Sequence, residues 1–267
     1  MYVRKTVDTA FGGYPSITEE VRGAVAESGV REGYCIVSLE GASTGLGITS
    51  FWDKRGLDDL MDEIGRNLPA WVDYHSQTSP FDVSGNVKGA VVGRSAMLLV
   101  HEGKPVLGSS QGLVLLEFDG PRQRTCHIQV VEAGLELDSY QVKTCYMGMH
   151  DITDEVRRSV AKSQVRNGIC HIAQLHSTAG LLLCSKEEGA RRDIMEDIEG
   201  MVPTRADFKH RETAADAGGH VKTAITDSQL SLVIEDGELA LGEGQAVVFA
   251  EYDGPRHRTF YVGVIHG

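Results

Sequence analysis

The chain has 267 residues, of which 41% are hydrophobic and 24% charged, a composition typical of a folded globular protein rather than a disordered or collagen-like one. Its apolar runs are shorter than ten residues and its first residues lack the apolar segment of a secretory signal, so we expect no membrane span and a cytoplasmic location. The net charge of −12 argues against binding to nucleic acid or to an anionic membrane surface, because both need a basic surface.

Taken in chain order, the first clear element is Ile17–Gly33, and it recurs as Ile152–Gly168 with 11 of 17 residues identical. A later segment, Leu107–Thr125, recurs as Leu241–Thr259. The two offsets are 135 and 134 residues, so the spacing between the segments is nearly unchanged. We therefore predict a tandem repeat, with a first domain of residues 1–134 and a second of residues 135–267.

Each repeat is predicted to begin with a helix of about four turns. Thr18 and Thr153 are the predicted N-caps, and acidic residues follow them in the first turn. A short, largely buried strand follows at Ile169–His176 of the second repeat. Apolar residues at helical spacing then predict a second helix within Glu187–Pro203.

The last third of each repeat is predicted to consist of strands. Asp236 and Gly237 stand between two apolar runs and indicate a hairpin. A second hairpin is predicted around Asp253-Gly254-Pro255. This order of elements favours an α+β fold, in which each unit is an antiparallel β-sheet or sandwich with helices packed on it.

Three histidines of the second repeat lie at the edges of its regular patterns. His176 ends the predicted strand, His210 lies in a polar connector, and His220 opens a segment that could form a helical turn. Three imidazoles from separate elements can bind one divalent metal, zinc above all, and leave a fourth position to water or substrate. The alternative is that each is an ordinary solvated or hydrogen-bonded histidine.

Comparison of the two repeats bears on this choice. His176 corresponds to Gly41 and His220 to Asn86, whereas His210 corresponds to His75 if the one-residue shift between the repeats falls after it. Since the first repeat has to fold without two of these histidines, they look like functional residues that one repeat gained or the other lost. Drift at unimportant surface positions would leave the same trace.

An ordered series of segments in the second repeat resembles the YjbQ family, also called uncharacterised protein family 0047. The segments are ITDEVRRSVA, LHSTAGLLL, KHRET followed by GGHVKTAI, and EDGELALG followed by QAVVFAEYDGPRHR. The resemblance implies an α+β unit that assembles as a homo-oligomer, usually a trimer, with a metal site on the histidines that match His176, His210 and His220. It also implies a secondary thiamine-phosphate synthase activity in some members, which joins a pyrimidine methyl diphosphate to a thiazole phosphate.

The sequence departs from the family pattern at two places. Cys184 and Ser185 replace an Asn-Glu pair, and Glu243 and Gly244 replace a Thr-Trp pair, so the expected acid or base is absent. Cys184 is either a replacement metal ligand or a small buried residue. With an odd number of cysteines and no close pair, we expect buried thiols rather than disulfides.

Polar neighbours of the histidines complete the predicted site. Ser177 and Thr178 would orient His176 from outside the ligand set. Lys222, Arg211 and Arg256 would bind the phosphate of a small phosphorylated ligand. For Arg256 the alternative is a structural turn, because Arg122 occupies the same place in the first repeat.

The sequence therefore predicts a metal-binding protein with thiamine-phosphate synthase-type activity. A noncatalytic ligand binder or oligomeric scaffold is the alternative from another class. A metal-dependent phosphate-ester hydrolase is a third reading, since the same ligands would permit it.

Overall fold

The computed structural model describes residues 1–76, 79–205 and 207–266. It is an α+β protein with antiparallel, curled sheets in each repeat and six helices in the described ranges. The predicted fold class is confirmed. The two repeats follow one another with the same order of elements, apart from one additional short strand before the first helix of the second, so the tandem duplication is visible in the fold as well as in the sequence.

The first repeat contains ten elements, which run in the order β1 (Tyr2–Thr9), α1 (Thr18–Ser28), β2 (Gly33–Leu39), β3 (Thr44–Ser50), α2 (Lys54–Asn67), α3 (Pro80–Val92), β4 (Ser95–His101), β5 (Lys104–Pro105), β6 (Gln111–Glu117) and β7 (Arg122–Glu132). Its large sheet has the strand order β1-β7-β2-β4-β5, and β3 pairs with β6 in a second layer. Apolar side chains of both layers and of α1 form the core of this repeat.

The second repeat contains eleven elements, which run in the order β8 (Gly134–Lys143), β9 (Gly148–Asp151), α4 (Thr153–Ser163), β10 (Gly168–Gln174), β11 (Ala179–Ser185), α5 (Glu188–Met201), α6 (Asp216–Thr226), β12 (Gln229–Glu235), β13 (Glu238–Leu239), β14 (Gln245–Glu251) and β15 (His257–His266). Its large sheet has the order β13-β12-β10-β15-β8, and its second layer has the order β11-β14-β9. Side chains of both layers and of α4 form its core.

The predicted helices are confirmed, with shifted ends. Thr18 and Thr153 are the first helical residues and not the N-caps, which are Ile17 and Ile152. Their hydroxyls accept hydrogen bonds from strand amides instead, as Thr153 Oγ1 does from Val247 N at 2.9 Å. The segment that opens with His220 lies within a full helix of 11 residues, α6.

One of the two predicted hairpins is present. Asp236 and Gly237 join β12 to β13 and have φ values of 51° and 89°. Both central positions of a tight hairpin turn of this kind need positive φ. The hairpin predicted around Asp253-Gly254-Pro255 is wrong. β14 pairs with β11 and β9, whereas β15 pairs with β10 and β8, so this turn carries the chain from one layer to the other.

The prediction of buried thiols holds for three of the five cysteines. Cys35, Cys126 and Cys170 are buried, and burial raises the pKa of each thiol. Cys145 is exposed and Cys184 is partly exposed, so the prediction is wrong for these two. None of the five forms a disulfide.

A hydrophobic cluster joins the two repeats. Leu60 and Ile64 of α2 and Leu116 of β6 pack with Phe208 and Val221 of the second repeat. This cluster places α2 of the first repeat against the connector before α6 and against α6 itself. Every helix in the described ranges has 14 residues or fewer, so none reaches the roughly 20 apolar residues that cross a bilayer.

Candidate metal centre

Three side chains of the second repeat bring potential metal-binding atoms together beside this shared cluster. His210, Asp216 and His220 are all buried, and one ligand atom from each lies within 4.8 Å of the other two. The imidazole rings of His210 and His220 have their centres 5.1 Å apart. Two imidazoles and one carboxylate are a donor set that can bind a divalent cation.

His210 is fixed by α2 of the first repeat. Its backbone amide donates to Asp59 Oδ2 at 2.8 Å, and its ring Nδ1 donates a short hydrogen bond to the carboxylate of Asp53. Since a carboxylate only accepts, the proton of the neutral ring lies on Nδ1 and the lone pair lies on Nε2. Hydrogen bonds from Arg55 and His210 hold the pKa of the Asp53 carboxyl well below its usual range.

The other ring nitrogen of His210 has no hydrogen-bond partner among the described residues, although it is buried. Asp216 Oδ2 lies 3.1 Å from this Nε2, and no hydrogen bond joins the two atoms. An unpaired buried nitrogen is costly unless something binds it. His210 Nε2 and Asp216 Oδ2 are thus two electron-pair donors side by side, an arrangement that a bound cation would stabilise.

His220 has the same orientation of ring nitrogens. Its Nδ1 donates to the carbonyl oxygen of Ser177 at 2.9 Å, which leaves Nε2 free to bind a cation. Burial lowers the pKa of His220. A neutral imidazole is the form that binds metals.

Asp216 was not predicted from the sequence. It is the first residue of α6 and lies four residues before His220, so both side chains lie on one face of the helix. Its Oδ2 accepts from Glu212 N at 2.6 Å and its Oδ1 from Ala217 N at 2.8 Å, which orient the carboxylate. An aspartate and a histidine at this spacing are the signal that could have revealed it.

His176 is not part of this group in the described residues. It lies just beyond the end of β10, and its Nε2 accepts a hydrogen bond from Thr259 N at 2.9 Å. Burial and the neighbouring Arg258 lower the pKa of His176 to about 4. The hydrogen bond from Thr259 occupies this ring nitrogen. The assignment of His176 as a metal ligand stays a prediction.

The residues predicted to surround His176 have separate partners. Ser177 orients His220 through its main-chain carbonyl oxygen. Thr178 Oγ1 accepts from Arg258 Nη2 at 2.9 Å. Cys184 lies near Ser185 on β11, and burial raises the pKa of its thiol, so the protonated form is favoured.

The three predicted phosphate-binding residues have different surroundings. Lys222 is fully buried, and its Nζ donates to Glu199 Oε2 at 2.5 Å. Arg256 pairs with Asp253 in the turn after β14, as Arg122 pairs with Asp119 in the first repeat. This equivalence is what the structural interpretation of Arg256 anticipates.

Arg211 lines an open cleft of about 340 Å³ next to the candidate metal centre. His210 and Asp216 also line this cleft, as do Arg205 and Thr213. The Nε of Arg211 donates to the carbonyl oxygen of Phe208 at 2.8 Å. In the described part of the chain its guanidinium forms no ion pair, whereas that of Arg205 pairs with carboxylates.

Comparison with known proteins identifies the family. Residues 5–133 and again residues 138–267 match the family described as UPF0047 protein YjbQ-like. The chain belongs to this family. The two matches cover nearly the whole sequence, so the protein is a tandem duplication of the YjbQ-like unit.

Single-unit relatives of this YjbQ-like chain are similar to about half of it. A UPF0047 protein of Methanocaldococcus jannaschii is 34% identical over 131 residues, which are 48% of this chain and 94% of the relative. One from Archaeoglobus fulgidus is 36% identical over 42% of this chain and 86% of the relative. A crystal structure of a YbjQ-like protein of unknown function from Sulfolobus solfataricus is 29% identical, covers 51% of this chain and all of its own, and has a TM-score of 0.49.

Proposed function

We propose that this YjbQ-like protein binds a divalent metal, zinc above all, on His210, Asp216 and His220. The observation that supports the proposal is the buried Nε2 of His210, which has no hydrogen-bond partner among the described residues and lies beside Asp216. Two imidazoles and a carboxylate suit zinc, and a fourth position would stay open for water or substrate.

The cleft beside these residues would hold a small phosphorylated ligand. Its volume of about 340 Å³ lies within the range of small-molecule sites. Arg211 could bind a phosphate group bidentately, because its guanidinium has no carboxylate partner in the described ranges. Lys222 is a weaker candidate for this role, since Glu199 already pairs with its buried ammonium group.

The reaction we propose is the condensation of a pyrimidine methyl diphosphate with a thiazole phosphate. The thiazole nitrogen would form a bond to the methylene carbon while the bond from that carbon to the diphosphate oxygen breaks. A bound cation would neutralise the charge of the leaving pyrophosphate. Arg211 would hold the phosphate groups at the mouth of the cleft.

A noncatalytic ligand-binding protein is the second candidate, and one observation favours it. Asp216 is the one acidic residue among the described residues that line the cleft, and it would be bound to the metal. The position after Cys184 holds a serine rather than the glutamate of the family pattern. Without a free acid or base the site would bind its ligand and leave it unchanged.

Metal content measured on protein purified without an affinity tag tests the first proposal. We expect about one zinc per chain in the wild type and a clear loss in His210→Ala and His220→Ala. His75→Ala is the control, because His75 is an exposed histidine in the connector of the first repeat between α2 and α3. His176→Ala separates the two ligand sets: zinc is retained if Asp216 is the third ligand and lost if His176 is.

Activity is tested on the same preparations. Thiamine phosphate is measured directly from the two precursors with zinc-loaded protein, and Arg211→Ala is expected to weaken the use of both substrates. If zinc-loaded wild type yields no product but binds a phosphorylated precursor, the noncatalytic function is supported. Equal zinc content in all variants would contradict the metal site itself.

We also propose that chains associate with one another, because equivalent surfaces are buried in one repeat and exposed in the other. Leu99 of β4 is fully buried against Gly263 of the second repeat, whereas its counterpart, Val233 of β12, is 61% exposed. Gln111 is fully buried at the junction of the repeats, whereas its counterpart Gln245 is exposed. A second chain would cover the exposed copy of this surface.

A further inference from the structure

We propose that Asp53 of the first repeat is a positioning residue for the metal site of the second. Its carboxylate would hold the ring of His210 in the tautomer and orientation that direct Nε2 at the metal. The inference rests on the proposed function, since it assumes that His210 binds a cation. It assigns to the first repeat a role in the site beyond that of a packing partner.

Three contacts from the start of α2 fix the position of His210. Asp53 accepts the hydrogen bond of the ring Nδ1. Asp59 accepts from the backbone amides of Lys209 and His210, at 2.9 and 2.8 Å. Gly56 lies directly beneath the histidine, since a Cβ placed there would lie 3.7 Å from His210 Cβ. Both the backbone and the ring of His210 are therefore held by the first repeat.

The hydrogen bond of Asp53 has a chemical consequence at the opposite side of the ring. A neutral imidazole carries one proton, and a carboxylate at Nδ1 keeps that proton there, so Nε2 keeps its lone pair. The carboxylate also makes Nε2 more basic, and losing such a partner typically weakens metal binding 10- to 100-fold. His220 has only the neutral carbonyl oxygen of Ser177 at its Nδ1.

Comparison of the repeats separates this role from helix capping. Asp53 is the N-cap of α2 and accepts from Arg55 N at 2.9 Å. Its counterpart, Glu187, is the N-cap of α5 and accepts from Gly189 N and Ala190 N at 2.9 and 2.6 Å. Both residues cap a helix, but in the described chain only Asp53 also bonds to a histidine. Glu187 is therefore a control for loss of the cap.

The test compares zinc affinity, measured by competition with a chromophoric chelator, in three variants of the full chain. Asp53→Ser keeps a capping hydroxyl but is too short to reach His210, so we expect affinity to fall 10- to 100-fold. Asp53→Asn keeps a neutral acceptor, and we expect an intermediate loss. Glu187→Ser alters the corresponding cap of α5, and we expect affinity within about twofold of wild type.

A spectroscopic signal reports the bond directly. In zinc-loaded wild type the Nδ1 proton of His210 should give a downfield proton resonance, which His210→Ala identifies by its disappearance. We expect Asp53→Ser to lose or strongly shift this resonance. A helix cap with no role at the metal would leave the signal where it is.

The outcomes separate this inference from the proposed function. If wild type binds no zinc that depends on His210, the proposed function fails and takes the inference with it. If wild type binds zinc and Asp53→Ser binds it equally well, the inference alone is overturned. An equal loss in Glu187→Ser also overturns it, because the effect would then be general. If Asp53→Ser does not fold, Asp53→Asn decides, and wild-type affinity in that variant contradicts the inference.

Discussion

Gln111 of the first repeat donates its side-chain amide to the carbonyl oxygen of His176 in the second, at 3.2 Å. The same amide donates to the carbonyl oxygen of Gln174 at 3.1 Å, while its own oxygen accepts from Gly108 N. One buried side chain therefore holds the segment that follows β10. That segment carries Ser177, whose carbonyl oxygen orients His220.

We expect Gln111→Ala to destabilise the protein and to weaken zinc binding. Two buried carbonyl oxygens lose a donor, which costs about 1–3 kcal/mol in the free energy of unfolding. Gln245→Ala is the control, because Gln245 makes the same local bond to Gly242 N but is exposed. Chemical denaturation measures the free energy of unfolding of both variants, and chelator competition measures their zinc affinity. Equal losses in Gln111→Ala and Gln245→Ala would argue against a role of Gln111 at the repeat junction.

The pair of Lys222 and Glu199 should respond asymmetrically to mutation. Lys222 is fully buried, whereas the side chain of Glu199 is 33% exposed. Glu199→Ala leaves a buried ammonium group without its counter-ion and should cost about 3–5 kcal/mol of unfolding free energy. Lys222→Met keeps the packing and leaves a carboxylate that water can reach, so about 1 kcal/mol is expected. Denaturant midpoints measure the loss of stability in each variant. A larger loss in Lys222→Met than in Glu199→Ala would contradict the predicted asymmetry.

Stability should fall as the pH drops from about 6.5 towards 4, with His171 as one cause. Burial lowers the pKa of His171 to about 4, although a hydrogen bond to Gln229 opposes the shift. At a pH between the pKa of the folded state and the pKa of the unfolded state, the unfolded chain binds a proton that the folded chain does not. The free energy of unfolding therefore decreases as the pH falls through this range. At about 1.4 kcal/mol per pKa unit, the loss approaches roughly 3 kcal/mol near pH 4.

His171→Ile tests that contribution, since Ile36 is the residue at the equivalent position of the first repeat. We expect the unfolding free energy of the variant to depend less steeply on pH between 6.5 and 4. Thermal or denaturant unfolding across this range measures it. An unchanged slope would show that other groups account for the pH dependence.

The proposed association of chains should depend on Val233. Val233→Lys places a charge on the exposed copy of the surface that Leu99 buries within the chain. We expect the wild type to have a mass above the 29.0 kDa of one chain and the variant to shift towards that value. Light scattering after size-exclusion chromatography measures both masses. A wild type of 29.0 kDa would contradict the proposal.

The fold was largely predictable, because repeats and periodic patterns are local properties of a sequence. Helices and strands follow from the spacing of residues such as Val156 and Val160, which the structure buries. The turn at Asp253-Gly254-Pro255 was misjudged because a turn motif reports a change of direction and not which strands then pair. Pairing is set by distant residues, here those of β10 and β11.

The candidate site was predictable only in part. His210 and His220 stood out because they fell outside the apolar patterns, and the structure brings them together. Asp216 was missed because one acid among 38 carries no signal until its helix is known. Asp53 could not be found at all, since 157 residues separate it from His210 and only the packing of one repeat on the other joins them.

The hydrophobic cluster of α2, β6 and α6 is formed by residues of both repeats, which one gene encodes together. Covalent linkage keeps the half that carries Asp53 and the half that carries His210, Asp216 and His220 in a fixed ratio of one to one. The first half holds Gly41 and Asn86 at the positions of His176 and His220, so it does not repeat the histidines of the second. A gene split at the junction would yield two polypeptides, one with the three proposed ligands and the other with the Asp53 that holds the ring of His210.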